Sequence, residues 1–245
     1  MDNNSREDQI KKMIFKIRKE KKFPISICRE AIEEANLDEK LTMEIVIKKC
    51  MNIGEKYIDN PDKILTNNFV YCKKKDKSYY CVKIGTQSEF SGCNSDIINL
   101  SKKFIDNIDE NKEYLSIDNN QEIDDYIHKH ELKKDILFLG GLLRENIKIL
   151  FIGKITSEYL YLSKKNTIEE SNDFFISNSV LLFSSSTFLE KEIVQSIMIN
   201  INFNLKKNKK KIELEKFYES FAVDNKKSTI KELLNGSIIN NILVV

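Results

Sequence analysis

The side chains able to do chemistry in this chain are few and scattered. Its only histidines are His128 and His130. Two residues apart on a helix, they point about 200° from each other and cannot form a two-ligand metal face. In an extended segment they would share a face, yet no cysteine or carboxylate is placed to complete a metal set. A Ser-His-Asp or Cys-His arrangement would have to use one of these two, and no nucleophile is placed near them. The five cysteines, Cys28, Cys50, Cys72, Cys81 and Cys93, include no Cys-x-x-Cys pair. Zinc-ribbon and thioredoxin-like readings therefore have no support, and reduced thiols are expected. Carboxylates cluster at Asp106–Glu110 and Asp124–Asp125. Paired acids do acid–base work when burial separates their pKa values, and these stretches are strongly polar, as solvated faces are.

Phosphate chemistry is similarly poorly provided for. The chain has 7 glycines and contains neither GxxxxGK[ST] nor GxGxxG, the two commonest phosphate cradles. Gly140-Gly141 lies beside an apolar run and reads as a turn. The basic run from Lys206 to Lys211 would suit phosphates. It has no interleaved aromatics, and Glu213 and Glu215 follow at once, so an exposed loop is expected. No metal site and no cofactor site is predicted. One segment stands out instead: Gln87-Ser88-Glu89-Phe90 leaves a strand and enters a loop ahead of a helix. A bulky aromatic at such a tip has two readings. Phe90 folds back into its own core, or it protrudes as an anchor for a partner pocket.

The elements that must position these residues follow from periodicity. Ile10, Met13, Ile14 and Ile17 fall at i, i+3, i+4, i+7, the stripe of an amphipathic helix. Ser26 is placed to cap a second helix carrying Ile27, Cys28, Ala31, Ile32 and Ala35. Asp38 is placed to cap a third, with Leu41, Ile45, Val46 and Cys50 as its inner face. Residues 52–68, with Gly54, Asn60-Pro61 and Thr66-Asn67-Asn68, read as a linker. The period then changes to two: Phe69–Lys73 and Tyr79–Ile84 predict a hairpin, followed by a helix on Ile97, Leu100, Phe104 and Ile108. Residues 121–132 suggest another helix, and 135–143 form an apolar run. The rest reads as strands at 147–155, 158–162 and 179–184, a polar loop over Lys164–Asp173, a helix over Phe188–Ile201, and short helices at 212–218 and 229–234. A closing strand spans Ile238–Val245. The class is α+β: a three-helix bundle, a linker, then two α+β subdomains in succession, antiparallel sheets with helices.

Composition bounds the class of partner. Of 245 residues, 41% are hydrophobic and 32% charged, with 40 basic against 38 acidic side chains and a formal net charge of +2. No global field favours a nucleic acid or a membrane surface. The first eight residues are polar and acidic, unlike a signal or transit peptide, and no apolar run reaches the ~18 residues of a membrane helix. A soluble intracellular protein is expected.

Four stretches in order resemble the elongation factor Ts family. Phe23-Pro24-Ile25-Ser26-Ile27-Cys28-Arg29-Glu30-Ala31-Ile32 with Glu34-Ala35-Asn36-Leu37-Asp38 is similar to the opening module of that family. Gln87-Ser88-Glu89-Phe90 is similar to its Gln-Thr-Asp-Phe loop, and Glu145-Asn146-Ile147 to its Glu-Asn-Ile segment. Val180-Leu181-Leu182, the helix after it, and Phe221-Ala222-Val223-Asp224 with Thr229–Leu234 keep the family's order. Departures include Ile27 where the family has an aspartate, Leu37 where it has a glycine, and no histidine near Leu162–Asn166.

The resemblance implies a UBA-like helical module over 1–52, a linker over 53–68, and core subdomains over 69–140 and 141–245. A shortened basic insertion near 204–212 stands where bacterial members often carry a coiled coil. It implies a guanine-nucleotide exchange factor for elongation factor Tu, with no covalent chemistry. Phe90 would be the wedge and Glu89 its acidic neighbour, with Ser88, Gln87, Cys28 and Arg29 as further partner-binding residues. A 1:1 complex with Tu is expected, without coiled-coil dimerisation. The implied setting is a mitochondrion or plastid after loss of a presequence, or a bacterial cytoplasm. The alternative is a UBA-like protein-binding scaffold without exchange activity.

Overall fold

The computed structural model describes residues 3–58, 60, 62–208, 214–220, 222–223 and 228–245, and leaves the side chains of 3–5, 20 and 206–208 undescribed. Pro61 of the expected linker, Lys209 to Lys211 of the basic run, Ile212 and Glu213, and Phe221 and Asp224 of the family-like stretch lie outside these residues. The fold is α+β. Its elements are α1 (Asn3–Glu20), α2 (Ile25–Glu34), α3 (Glu39–Gly54), β1 (Asn67–Lys75), β2 (Ser78–Thr86), a 3-10 turn (Phe90–Cys93), α4 (Ser95–Asp106) and β3 (Tyr114–Ile117). There follow α5 (Asn120–Lys129), α6 (Lys133–Leu143), β4 (Lys148–Thr156), β5 (Tyr159–Glu170), β6 (Phe174–Ser185), α7 (Lys191–Asn208), α8 (Leu214–Tyr218), α9 (Ile230–Leu234) and β7 (Ile239–Val244). The strands form a sheet of order β3-β4-β2-β1-β6-β5, and β7 also pairs with β6.

The chain divides into two compact units that are not successive in sequence. One holds residues 1–68, 83–107 and 118–150, and the other 69–82, 108–117 and 151–245. The expected division at 140/141 gives way because strands distant in sequence pair. In the second unit β1 lies antiparallel to β6, with Val70 opposite Ser177 and Lys73 opposite Phe174.

In the first unit the apolar stripe of α1 buries Ile10 and Ile17 against Phe23, Ile27, Cys28, Ala31, Ile32, Val46 and Cys50. Two local expectations are corrected. The second helix starts at Ile25 with Pro24 at its N-cap and no side-chain cap, because proline presets the backbone angle without offering an acceptor. The Asp38 side chain does cap α3, accepting from the Leu41 N–H at 2.8 Å. That frame turns Leu41 outward, 45% exposed, and buries Thr42 instead. Thr42 is tolerated inside because its hydroxyl donates to the Asp38 carbonyl at 2.5 Å.

The expected linker and the expected Gly-Gly turn are also corrected, by one contact. Gly140 and Gly141 lie inside α6, and α3 packs along that helix. A Cβ on Gly141 would stand 1.7 Å from the Cys50 carbonyl oxygen, and one on Gly54 would stand 1.9 Å from that of Leu137. Only residues without a Cβ allow backbones this close. Ile58 packs over Gly140, so the start of the expected linker is part of the packing. Phe138 of α6 completes the seam: its ring meets Phe23 edge-on at 6.0 Å and carries the Lys21 ammonium at 4.7 Å.

In the second unit the polar stretch read as a loop is strand. β5 continues to Glu170 and pairs with β6 as far as Glu170 opposite Phe175. Residues 165–170 are exposed throughout, and backbone pairing with β6 rather than burial makes them strand. Strand β3, which the sequence pattern did not suggest, pairs with β4 from Tyr114 opposite Ile155 to Ile117 opposite Ile152. The helix expected from Phe188 begins at Lys191 and reaches Asn208. Its inner residues Ile197, Met198 and Ile201 pack with Phe183, Phe217, Ile230 and Ile239. Across the sheet, Val70, Cys72, Cys81, Phe151, Ile155, Phe175, Val180, Leu182 and Leu243 form a separate core.

Candidate partner-binding site

The loop after β2 lies wholly in the first unit and is braced from three sides. The Gln87 carbonyl accepts from the Thr66 hydroxyl at 2.5 Å and from the Asn67 side-chain amide at 3.0 Å. The Gln87 side-chain oxygen accepts from the Asn146 backbone N–H at 2.9 Å. Glu145 then grips the loop: its carboxylate accepts from the Ser88 hydroxyl at 2.6 Å, the Ser91 hydroxyl at 2.8 Å and the Ser88 N–H at 3.3 Å. Hydrogen bonds to a charged acceptor contribute roughly 1.5–3 kcal/mol each when sheltered. The Thr86 hydroxyl donates to the Ser88 carbonyl at 2.9 Å, and Asn94 caps α4 by accepting from the Asp96 N–H at 2.8 Å.

These bonds hold the backbone while the tip faces water. Phe90 opens the 3-10 turn and is 91% exposed, and Glu89 beside it is exposed as well. The reading in which Phe90 returns to its own core is thereby excluded. Transfer of such a ring from water into an apolar pocket is worth about 1.5–3 kcal/mol, none of which the free protein collects. Asn146 is buried and donates from its side-chain amide to the Lys63 carbonyl at 3.1 Å, while its Oδ1 has no hydrogen-bond partner among the described residues.

Glu145 was visible in the sequence only as part of the Glu-Asn-Ile resemblance. Nothing in local spacing connects it to Ser88, and its part in the loop comes from the turn that ends α6. There Arg144 takes a left-handed conformation, φ 56° and ψ 42°, which closes the helix just before Glu145.

The other expected site residues separate into two kinds. Arg29 is exposed on α2 and paired with Glu7 at 2.8 Å and Glu33 at 3.2 Å, contacts that raise its already high pKa further. Cys28 is a correction: its side chain is 0% exposed within the helical core, and burial pushes its thiol pKa up. Packed there, its side chain is closed to a partner. Sequence reasoning missed other exposed apolar side chains of the first unit, Phe15 at 72% and Ile64 at 72%.

The candidate chemical groups stay dispersed. The His130 ring packs on Tyr126 at 4.5 Å, where burial and then Lys129 lower its pKa. Glu110 of the first acidic cluster is exposed and paired with Lys75 at 2.5 Å, which lowers its pKa. Among the described residues no three His, Cys, Asp or Glu side chains group as a metal set would. No helix among them is long and apolar enough to cross a membrane.

The fold and site together define an α+β protein that presents one aromatic side chain on a braced loop. No family model matches the chain, and no curated protein matches it either.

Proposed function

We propose that this protein is a guanine-nucleotide exchange factor for a Tu-type elongation GTPase, with Phe90 as the group inserted into the partner. The observation that carries the proposal is the pairing of two stretches. Gln87-Ser88-Glu89-Phe90 and Glu145-Asn146 each resemble the elongation factor Ts family, lie far apart in sequence, and meet in one hydrogen-bonded cluster that leaves Phe90 in water. A wedge needs both properties: a rigid base, so that insertion does not lose its free energy to loop ordering, and a desolvatable tip.

The mechanism moves no covalent bond. Phe90 enters an apolar pocket of the GTPase near its magnesium and phosphate site, and Glu89 lies beside it. Mg²⁺ demands near-ideal octahedral geometry, so a small displacement of its ligands weakens it sharply. Charge compensation of the GDP phosphates falls, GDP leaves, and GTP rebinds. By linkage, a factor that weakens GDP binding is itself bound less tightly by the GDP form, by the same ratio. The near-neutral charge of +2 suits a protein surface as partner. A bacterial-type translation system, in an organelle or a bacterium, is the setting this reading requires.

The test is release of a fluorescent GDP analogue from elongation factor Tu, with and without this protein. Accelerated release supports exchange. Binding to Tu without acceleration would leave a protein-binding scaffold, and absence of both would overturn the assignment.

A further inference from the structure

We propose that Cys72 and Cys81 are an oxidation site, a dithiol that closes to an intrachain disulfide under peroxide. The placement comes from the hairpin. Strand β1 ends at Lys75, strand β2 begins at Ser78, and Asp76-Lys77 form the turn between them, Asp76 with φ 52°. Counting outward by three residues from each strand end puts Cys72 directly opposite Cys81. Residues so placed have Cβ atoms about 4.5–5.5 Å apart, and a disulfide needs about 3.5–4.5 Å. Closure therefore requires adjustments below or near an ångström, without a change of register.

The sulfurs themselves have already come together. Cys72 Sγ lies 2.7 Å from Cys81 Sγ, well inside the sum of two sulfur van der Waals radii. Both side chains are 0% exposed in the apolar core with Val70, Phe151 and Phe175. An oxidant that reaches so closed a place must be small and uncharged, and hydrogen peroxide meets both conditions. Burial, followed by the contact with Cys81, pushes the Cys72 thiol well up, which keeps its thiolate scarce and makes the first step slow. One thiol, as its thiolate, attacks a peroxide oxygen and breaks the O–O bond, giving a sulfenic acid and hydroxide, which takes up the thiol's proton to become water. The second sulfur then attacks the sulfenic sulfur, forming the S–S bond and expelling the sulfenic oxygen as a second water. The two sulfurs lose two electrons in total, and the peroxide gains them. Once formed, the bond is shielded from large reductants by the same core.

The experiment uses the full chain carrying Cys93→Ser, which removes the exposed thiol. The protein is treated with hydrogen peroxide, quenched, denatured, alkylated and mapped by mass spectrometry. The expected result is one crosslinked pair of peptides holding Cys72 and Cys81, lighter by two hydrogens and free of alkyl label. Reduction before alkylation restores two labelled sites. Cys28 and Cys50 stay labelled throughout. The proposal is overturned if Cys72 and Cys81 remain separately alkylated after prolonged peroxide exposure that drives Cys93 of the unsubstituted chain to complete oxidation. It is equally overturned if they end as sulfinic acids with no crosslink.

Discussion

Glu145 and Ser88 are 57 residues apart in sequence, and their side chains meet at 2.6 Å. The same carboxylate reaches the Ser91 hydroxyl at 2.8 Å, so that Phe90 lies between two serines held by one acid. The arrangement separates the roles within the loop. The serines and Gln87 hold the backbone, and Phe90 and Glu89 are left to the solvent.

Phe90→Ala should therefore affect function and spare the fold. A side chain that is 91% exposed contributes little to packing, and its loss should change stability by no more than about 0.5 kcal/mol. GDP release from elongation factor Tu, followed with a fluorescent analogue, should become several-fold slower than with the unsubstituted protein. Unchanged release with an unchanged melting temperature would remove Phe90 from the mechanism.

Glu145→Ala should act on the same step indirectly. The Ser88 and Ser91 hydroxyls lose their charged acceptor, at a cost of roughly 1–3 kcal/mol. Amide hydrogen exchange over residues 87–93 should accelerate more than in the rest of the chain. Because both changes work through one loop, the double variant with Phe90→Ala should exchange nucleotide hardly more slowly than Phe90→Ala alone. Strict additivity of the two effects would show that Glu145 does not act through Phe90.

Two glycines should respond to alanine very differently. At Gly141 the new methyl would stand 1.7 Å from the Cys50 carbonyl oxygen, backbone that cannot move aside cheaply. A loss of about 3 kcal/mol or more in urea unfolding is expected, from overpacking of the α3–α6 seam. At Gly236 the methyl meets nothing within 4 Å, and the cost comes only from φ +89°, about 1–2 kcal/mol. Similar losses at the two positions would contradict the close helix contact.

Alkaline pH should unfold the protein through its buried thiols. Burial, reinforced by Cys28 and opposed by Arg144, raises the Cys50 pKa from 9.0 to about 11. Between these values the unfolded chain has released the proton and the folded chain retains it. The stabilising contribution is therefore complete below pH 9 and is lost as pH rises to about 11, on the order of 3 kcal/mol. Urea midpoints measured across that window should fall, and Cys50→Ala should flatten the decline. A decline of equal steepness in the variant would assign it to other groups.

Much of the local structure follows from the sequence alone, for a simple reason. A stripe such as Ile10, Met13, Ile14 and Ile17, or a cap such as Asp38, involves residues within one or two helical turns. Their periodicity expresses which face must leave water. The hairpin around Lys74–Lys77 and the α+β class were legible on those grounds, while the choice between a returning and a protruding Phe90 was not. The N-cap of α2, the direction of Leu41 and the true length of β5 were not, because each depends on what the neighbouring element covers.

The sequence by itself determined many of the elements, the absence of phosphate-loop motifs and the near balance of charge, since these are properties of residue type and short spacing. Only the tertiary structure decided that Gly54 and Gly141 bring two helices together and that Cys28 belongs to the core. It also decided that Glu145 holds Ser88 and that Cys72 faces Cys81 at 2.7 Å. The first, third and fourth of these are contacts between segments that the chain must fold to bring together, and all four rest on burial or close approach. Hydrophobic periodicity carries no information about which distant element supplies the other half of a contact. That choice is made by whole faces packing at once, and the individual hydrogen bonds follow from it.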